Sequence, residues 1–222
     1  MSDNFDYDDF GMPDKPKRKH KDESFDWIDI WLRAVTQPKV SVYRAHLADP
    51  RMSMTRGLAW MLAASIIGTV LQAIASSMSP LGGLGDIIEA NVSVMMALCC
   101  APFSAIMGLI VFVVFNLIQY LFAVMLGGDG DFEEQVYSVA TYAAPISIIL
   151  GGAGMVPWIG PLAVLGILAY TFYLHVIAMQ AVHSLSLEKA IIASLWWMLM
   201  FCMFLSLLIG LLLALGLAAI SL

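Results

Sequence analysis

Positive charge is confined to one end of this chain, and this limits its fold more than any other feature of the sequence. Ten of the eleven Lys and Arg residues lie within the first 56 positions, and only Lys189 follows them. Later segments are apolar and long enough to cross a bilayer, which takes about 20 helical residues at about 1.5 Å each. We therefore predict an integral membrane protein whose basic end stays on one side of the membrane.

The composition agrees with lipid as the main solvent. Apolar residues make up 60% of the chain, and the mean hydropathy is +0.84, well above the values of soluble domains. The net charge of −6 averages a tail of mixed charge with a body that has few charges. We therefore expect no nucleic-acid partner.

The N-terminal residues 1–23 mix acidic and basic side chains and contain few aliphatic ones. Such a segment cannot bury enough apolar surface to offset the entropy lost on ordering. We predict a disordered tail on the cytoplasmic side.

Residues 24–50 follow a different pattern, in which apolar side chains recur at spacings of three and four. The pattern predicts an amphipathic helix that ends before Pro38, and a second short helix before Pro50. We expect both helices at the membrane interface, where Trp27 and Trp31 suit the headgroup level. A helix packed on the protein itself would bury the same stripe. The predicted stripe consists of Phe25, Ile28, Trp31, Leu32 and Val35.

Residues 51–222 predict an all-α transmembrane bundle with five spans. The run from residue 92 to residue 126 is too long for one untilted crossing, so Pro102 is expected to mark a kink between an interfacial piece and the span itself. The first connection is predicted at residues 79–91. The five spans are predicted at about residues 57–78, 98–126, 135–152, 159–182 and 190–220.

Small residues on the first predicted span indicate a packing seam. They allow the backbones of two helices to approach closely, either within one chain or between subunits. These residues are Ala59, Ala63, Ala64 and Gly68.

The distribution of Lys and Arg also predicts orientation, because positive charges near span ends are retained in the cytoplasm. The N-terminus is then cytoplasmic, and five crossings place Leu222 outside. Lys189 falls in a cytoplasmic turn under the same count, which agrees with its charge.

The most distinctive local sequence runs from Gly127 to Glu134, Gly-Gly-Asp-Gly-Asp-Phe-Glu-Glu. Its glycines allow a tight turn after a long helix, and its carboxylates suit the start of the next helix. Alternating acidic residues also occur in divalent-cation loops, but the Gly and Glu positions of a calcium loop are absent here. We interpret the segment as a structural turn and predict no metal.

Several short motifs, in this order and spacing, resemble the Yip-domain family of five-span membrane proteins. The resemblance covers about residues 30–220. The motifs are Gln37 to Lys39, Leu47 to Pro50, Gly127 to Phe132, Tyr142 to Pro145, Pro157 to Pro161 and His183 to Ala190.

The resemblance implies a cytoplasmic N-terminus and an outward C-terminus. Eukaryotic members of the family reside in the endoplasmic reticulum and Golgi, associate with one another and with prenylated Rab-type small GTPases, and support vesicle traffic. This chain has Leu47 to Arg51 where eukaryotic relatives have an Asp-Leu-x-Gly-Pro-like segment. The difference favours a prokaryotic plasma-membrane protein and argues against small-GTPase binding, which only the family resemblance supports.

Polar side chains inside the predicted spans are a second set of candidates, because burying them in hydrocarbon is costly unless they pair or line water. Asn116 and Gln119 share one helix face, whereas His175 and Gln180 are about 140° apart. We interpret all four as interhelical hydrogen-bonding groups. A conduction pathway is the alternative, but no charged residue lies in the core of a span to act as a proton-relay partner of His175.

The sequence contains no motif of a nucleophilic, metal-dependent or phosphate-binding enzyme. We predict a protein without catalysis or cofactor that interacts with or organises membrane lipids, other membrane proteins or further copies of itself. The alternative is a small transporter, channel or lipid-handling protein. The predicted cytoplasmic interaction surface consists of Trp27, Trp31, Gly127, Gly128, Asp129, Gly130, Asp131, Phe132, Glu133, Glu134, His183 and Lys189.

Overall fold

The computed structural model describes residues 26–77, 84–153 and 160–196, together with Cys202, Met203, Ser206 and Gly210. These residues form an all-helical structure, and this part of the chain has no strand. A further helical stretch covers residues 187–196. The other helices are α1 (Trp27–Thr36), α2 (Val40–Leu47), α3 (Met54–Ser77), α4 (Leu84–Met125), α5 (Phe132–Ala153) and α6 (Gly160–His183).

Four helices in the described residues are long and apolar enough to cross a membrane. The predicted fifth span begins in the helical residues 187–196, but nearly all of the rest lies outside the described residues. Five spans therefore remain a prediction, and the disordered tail at residues 1–23 also lies outside the described residues. The four segments are Met54–Ala75, Cys99–Met125, Phe132–Ala153 and Leu162–His183.

The first predicted connection is too long. Residues 84–91 are helical and form the first two turns of α4, so the prediction of a loop at residues 79–91 is wrong over that stretch. The helix continues through Pro102, and the kink expected there remains a prediction.

The first half of α5 is the centre of the bundle, because residues 135–142 are buried on every side. Its closest neighbour is α3, where a Cβ atom at Gly151 would lie only 2.6 Å from the carbonyl oxygen of Gly68. The packing seam predicted on the first span is therefore confirmed at Gly68, and Ala64 is also fully buried. Ala59 and Ala63 are exposed and do not form part of it.

The two short helices predicted before the first span are present, and they form a hairpin packed on α5 and α6. Tyr43 is buried, and its hydroxyl donates to the carbonyl of Ala34 at 3.1 Å, which joins α2 to α1. The hydroxyl of Tyr170 on α6 donates to the carbonyl of Val35 at 2.5 Å. These bonds place the α1–α2 turn beside Tyr170.

The face of α1 that packs on the protein differs from the predicted stripe. Ile30 and Ala34 are fully buried, whereas Ile28 and Leu32 are 54% and 60% exposed. Both sides of α1 are apolar, so periodicity alone does not distinguish the side that packs on protein from the side that can face lipid. The membrane-interface position of α1 remains a prediction.

Replacing Gly151 with Ala tests the α3–α5 crossing. The new methyl group would meet the backbone of Gly68, which cannot move without shifting a whole helix, so we expect a loss of about 1–3 kcal/mol. Gly152→Ala is the matched control, since a Cβ atom there meets nothing within 4 Å. Unfolding of the purified protein in detergent would measure both. Equal stabilities of the two variants would contradict this crossing.

Candidate functional site

The end of the bundle where α4 stops and α5 begins is here called the basal end. Gly127 ends α4 with a φ of +90°, a conformation that glycine adopts without strain. The amides of Gly127 and Gly128 donate to the carbonyls of Val124 and Ala123, both at 2.9 Å, which is a Schellman cap. The structural turn predicted from the glycines is therefore present.

The two turns predicted as one surface lie in contact at the basal end. The amide of Asp129 donates to the carbonyl of His183 at 3.3 Å, and the ammonium of Lys189 donates to the carbonyl of Leu126 at 2.9 Å. A Cβ atom at Gly130 would lie 2.5 Å from the carbonyl oxygen of Val182, so only glycine fits there. We call residues 127–134 and 183–189 the basal surface.

The acidic side chains of the basal surface have different surroundings. Asp129 and Asp131 are exposed. Glu133 is also exposed, but its carboxylate accepts from the backbone amide of Met54 at 2.9 Å and so caps the first turn of α3. Glu133 therefore stabilises the fold as well as facing solvent.

A buried carboxylate that the sequence analysis missed lies next to this cap. The side chain of Asp49 accepts from the amide of Arg51 at 2.9 Å and from the guanidinium of Arg56 at 3.1 Å. The same guanidinium lies 4.8 Å from the ring centroid of Trp60. Asp49 falls in the Leu-Ala-Asp-Pro segment that contributes to the family resemblance, and this was the available signal.

Trp27 and Trp31 lie to one side of the basal surface. Their rings contact each other edge to face at a centroid distance of 5.0 Å, and Trp31 contacts Trp60 at 6.0 Å. Trp60 in turn lies 5.5 Å from the ring of Tyr137 on α5. The two tryptophans therefore approach the start of α3, and no described contact joins them directly to the turns.

The structure brings two of the four predicted intramembrane polar residues together. Gln119 and Tyr142 hydrogen bond to the two ring nitrogens of the buried His175, Nε2 and Nδ1 respectively. A neutral imidazole has one N–H that donates and one nitrogen that accepts. The two bonds use both, and they tie α4, α5 and α6 to one another.

A second polar group lies closer to the basal end. The side-chain amide of Gln135 donates to the backbone carbonyl of Asn116 at 2.8 Å, and its oxygen lies 2.8 Å from Nε2 of His183. Asn116 Oδ1 and His183 Nδ1 are buried without a partner among the described residues. Gln180 is half-buried and makes no hydrogen bond within the described part of the chain. The four predicted residues therefore do not form one site.

The sequence analysis missed Gln135 and Tyr142, which connect these two groups to α5. Gln135 lies at the predicted start of a span, and a polar residue is ordinary at the end of a membrane helix. Tyr142 stands out in the sequence only as part of the Tyr-Ala-Ala-Pro motif.

In residues 26–77, 84–153 and 160–196, no cluster of three or more His, Cys, Asp or Glu side chains could hold a metal ion.

Comparison with known families gives one match, in which the Yip1 domain model matches residues 35–208. The chain belongs to the Yip1 domain family. The predicted resemblance is confirmed, although the five spans and the prokaryotic type remain predictions. No curated protein and no solved structure matches the chain significantly.

The limits of the Yip1 domain match follow the structure closely. The match begins at the end of α1, so it contains α2, the four candidate spans and the whole basal surface. Trp27 and Trp31 lie before it. The matched residues therefore include the two turns but not the tryptophan pair.

Tyr142→Phe tests the hydrogen bonds around His175. The change removes only the hydroxyl group, so we expect a loss of about 1 kcal/mol, the usual size for a hydrogen bond between membrane helices. Tyr173→Phe is the control, because Tyr173 is exposed on α6. Chemical unfolding in detergent would measure both, and an unchanged midpoint for Tyr142→Phe would contradict the bond.

We expect the stability of the protein to depend on pH because of His46 on α2. Burial lowers the pKa of this imidazole to about 4, and Arg33 adds to the decrease, whereas Asp29 and Asp49 oppose it. The unfolded chain has a histidine pKa of about 6.5. Between these two values the unfolded state binds more protons, so stability rises with pH across this window and falls on acidification.

We expect the wild-type protein to lose about 1–2 kcal/mol more than His46→Phe between pH 7 and pH 5. The phenylalanine keeps an aromatic ring in the buried position but cannot take up a proton. Thermal unfolding in detergent at the two pH values gives the difference. The same loss in both proteins would rule out His46 as its source.

Proposed function

We propose that this protein acts without catalysis as a membrane protein of the Yip1 domain type, binding other membrane proteins or lipids through the basal surface. The observation that supports this most strongly is the direct contact between the two turns, which places both on one surface. The Schellman cap fixes the backbone of the first turn, and the hydrogen bond from the ammonium of Lys189 to the carbonyl of Leu126 joins the second turn to it. A rigid surface loses little entropy when a partner binds.

The charge of the basal surface favours a basic partner segment. Asp129, Asp131 and Glu188 are exposed, whereas the ammonium of Lys189 is held by the carbonyl of Leu126. An acidic surface attracts partners with clustered Lys or Arg and repels acidic ones. Such a segment could belong to another membrane protein or to a second copy of this chain, in which five Lys and Arg residues lie within residues 15–21.

Neutralising one exposed carboxylate on each turn tests this surface. Asp131→Asn with Glu188→Gln should lower the amount of partner crosslinked in native membranes about fivefold, from two surface ion pairs of typical strength. Glu133 stays unchanged because it caps α3. Asp29→Asn is the control, since Asp29 lies on α1 and bonds to Arg33. Equal recovery from all three proteins would contradict the proposed surface.

The orientation follows from the distribution of positive charge, and we propose that the basal surface faces the cytoplasm. The membrane would be the plasma membrane of a prokaryote, or the endoplasmic reticulum or Golgi if the source is eukaryotic. Five spans would then place the C-terminus outside. A topology reporter after Leu222 should therefore be active only on the outer side, and activity on the cytoplasmic side would exclude an odd number of spans.

The alternative is a transporter, channel or lipid-handling protein that uses the intramembrane polar groups. Gln119 and Tyr142 form hydrogen bonds to His175. Polar groups that satisfy one another in this way support structural roles for all three residues. Flux of ions or small solutes through the purified protein in liposomes separates the two functions. Flux that is lost in His175→Phe would favour transport over the proposed role.

A further inference from the structure

The outer surface of α6 changes character at Tyr170. On the side of this residue away from the basal end, Leu162, Leu165 and Leu168 are exposed, as expected of a helix in contact with lipid. Tyr170 and Tyr173 come next and are also exposed, with their ring centroids 6.2 Å apart. From Leu174 onwards α6 is almost entirely buried, because α2 packs over it.

The α1–α2 turn lies at the height where this change occurs. The bond between the Tyr170 hydroxyl and the Val35 carbonyl places it there, and both Gln37 and Lys39 in the turn are exposed. No acidic side chain contacts the ammonium of Lys39 in the described part of the chain. Tyr170 itself lies about 20 Å along α6 from His183, at about 1.5 Å per residue.

Two physical rules indicate that the level of the α1–α2 turn and Tyr170 lies at a bilayer surface. An exposed lysine is costly in hydrocarbon but favourable beside lipid phosphates. Exposed tyrosines on membrane helices concentrate at the headgroup level, where the ring is in an apolar layer and the hydroxyl reaches polar groups. Lys39, Tyr170 and Tyr173 meet both conditions at the same place.

The exposed surface of α4 differs from that of α6 at this distance from the basal end. Val111 on α4 lies about 20 Å from Met125 along the helix and is exposed. Below it Leu117, Leu121 and Met125 remain exposed down to the basal end. Hydrocarbon therefore matches α4 much closer to the basal end than it matches α6.

We propose that the α1–α2 turn binds the phosphate groups of anionic phospholipids through Lys39, and that the headgroup layer dips toward this turn on the α6 side. A bilayer thins locally where the apolar surface of a protein is short, and Lys39 provides the charge that holds headgroups at the dip. The site is separate from the basal surface. A failure of either proposal therefore leaves the other standing.

Accessibility of single cysteines tests the dip. In a protein whose native Cys99, Cys100 and Cys202 are replaced by Ala, Gln37→Cys reports on the α1–α2 turn. Val111→Cys reports on the exposed surface of α4 at a similar distance from the basal end. In phosphatidylcholine–phosphatidylglycerol vesicles, a membrane-impermeant maleimide should label position 37 at least about tenfold faster than position 111, as expected for water against hydrocarbon. Total reactive thiol is counted in SDS. Equal labelling of the two positions, whether fast or slow, would overturn the proposal of a dip.

Lipid preference tests the role of Lys39. A fluorophore on Gln37→Cys is quenched by brominated phosphatidylglycerol or brominated phosphatidylcholine, and the ratio of the two reports which lipid lies beside the turn. Lys39→Gln should lower the preference for phosphatidylglycerol about fivefold, the contribution of one lysine near an anionic surface. Arg33→Gln is the control, because Arg33 is bonded to Asp29 and its loss should leave the ratio unchanged.

Each result of the quenching experiment decides the question. A ratio that falls in Lys39→Gln and stays in Arg33→Gln supports the site. A ratio that stays in both variants shows that the turn does not select anionic lipid, and a ratio that falls equally in both assigns the effect to the net charge of the hairpin. Either of the last two results overturns the assignment to Lys39.

Discussion

The burial of the first half of α5 is the constraint on which the other features of the structure depend. A helix surrounded on all sides in a membrane protein must direct its polar side chains at partners in neighbouring helices, because neither water nor lipid satisfies them. Gln135 and Tyr142 do this by bonding toward α4 and α6. α3 packs against the same half of α5, since a Cβ atom at Gly57 would lie 3.2 Å from both Ala140 Cβ and Tyr137 Cα. The crossing of Gly68 and Gly151 continues this contact toward the end of α5.

This arrangement also explains why the two basal turns form one surface. α5 starts directly after the turn that ends α4, and Gln135 in its first turn reaches His183 at the end of α6. The positions of the two turns are therefore determined by a buried helix and not by contacts in solvent. Exposed side chains on the turns can then vary in their interactions while the backbone beneath them stays in place.

The sequence predicts well those features that depend on local composition. Apolar length and the absence of charge predicted the helices of the bundle, and the glycines after Leu126 predicted the turn, because positive φ has a direct residue preference. The sequence did not predict which face of α1 is buried, since Ile28 and Ile30 are the same residue type and periodicity does not distinguish their two positions. It also could not pair Gln119 with His175, because that bond depends on the relative rotation of two helices far apart in the chain.

The proposed dip at the hairpin would give this protein two boundaries with the bilayer. α2 covers the part of α6 next to the basal end, so that stretch of α6 needs no lipid. Within the described residues α4 has no such cover on the face where Leu117 and Leu121 lie, and these side chains need an apolar neighbour. The two sides of the bundle then call for hydrocarbon of different depth, and a bilayer can meet both only by changing its local thickness. A lysine and two tyrosines at the edge of the covered part are the side chains that would stabilise such a boundary.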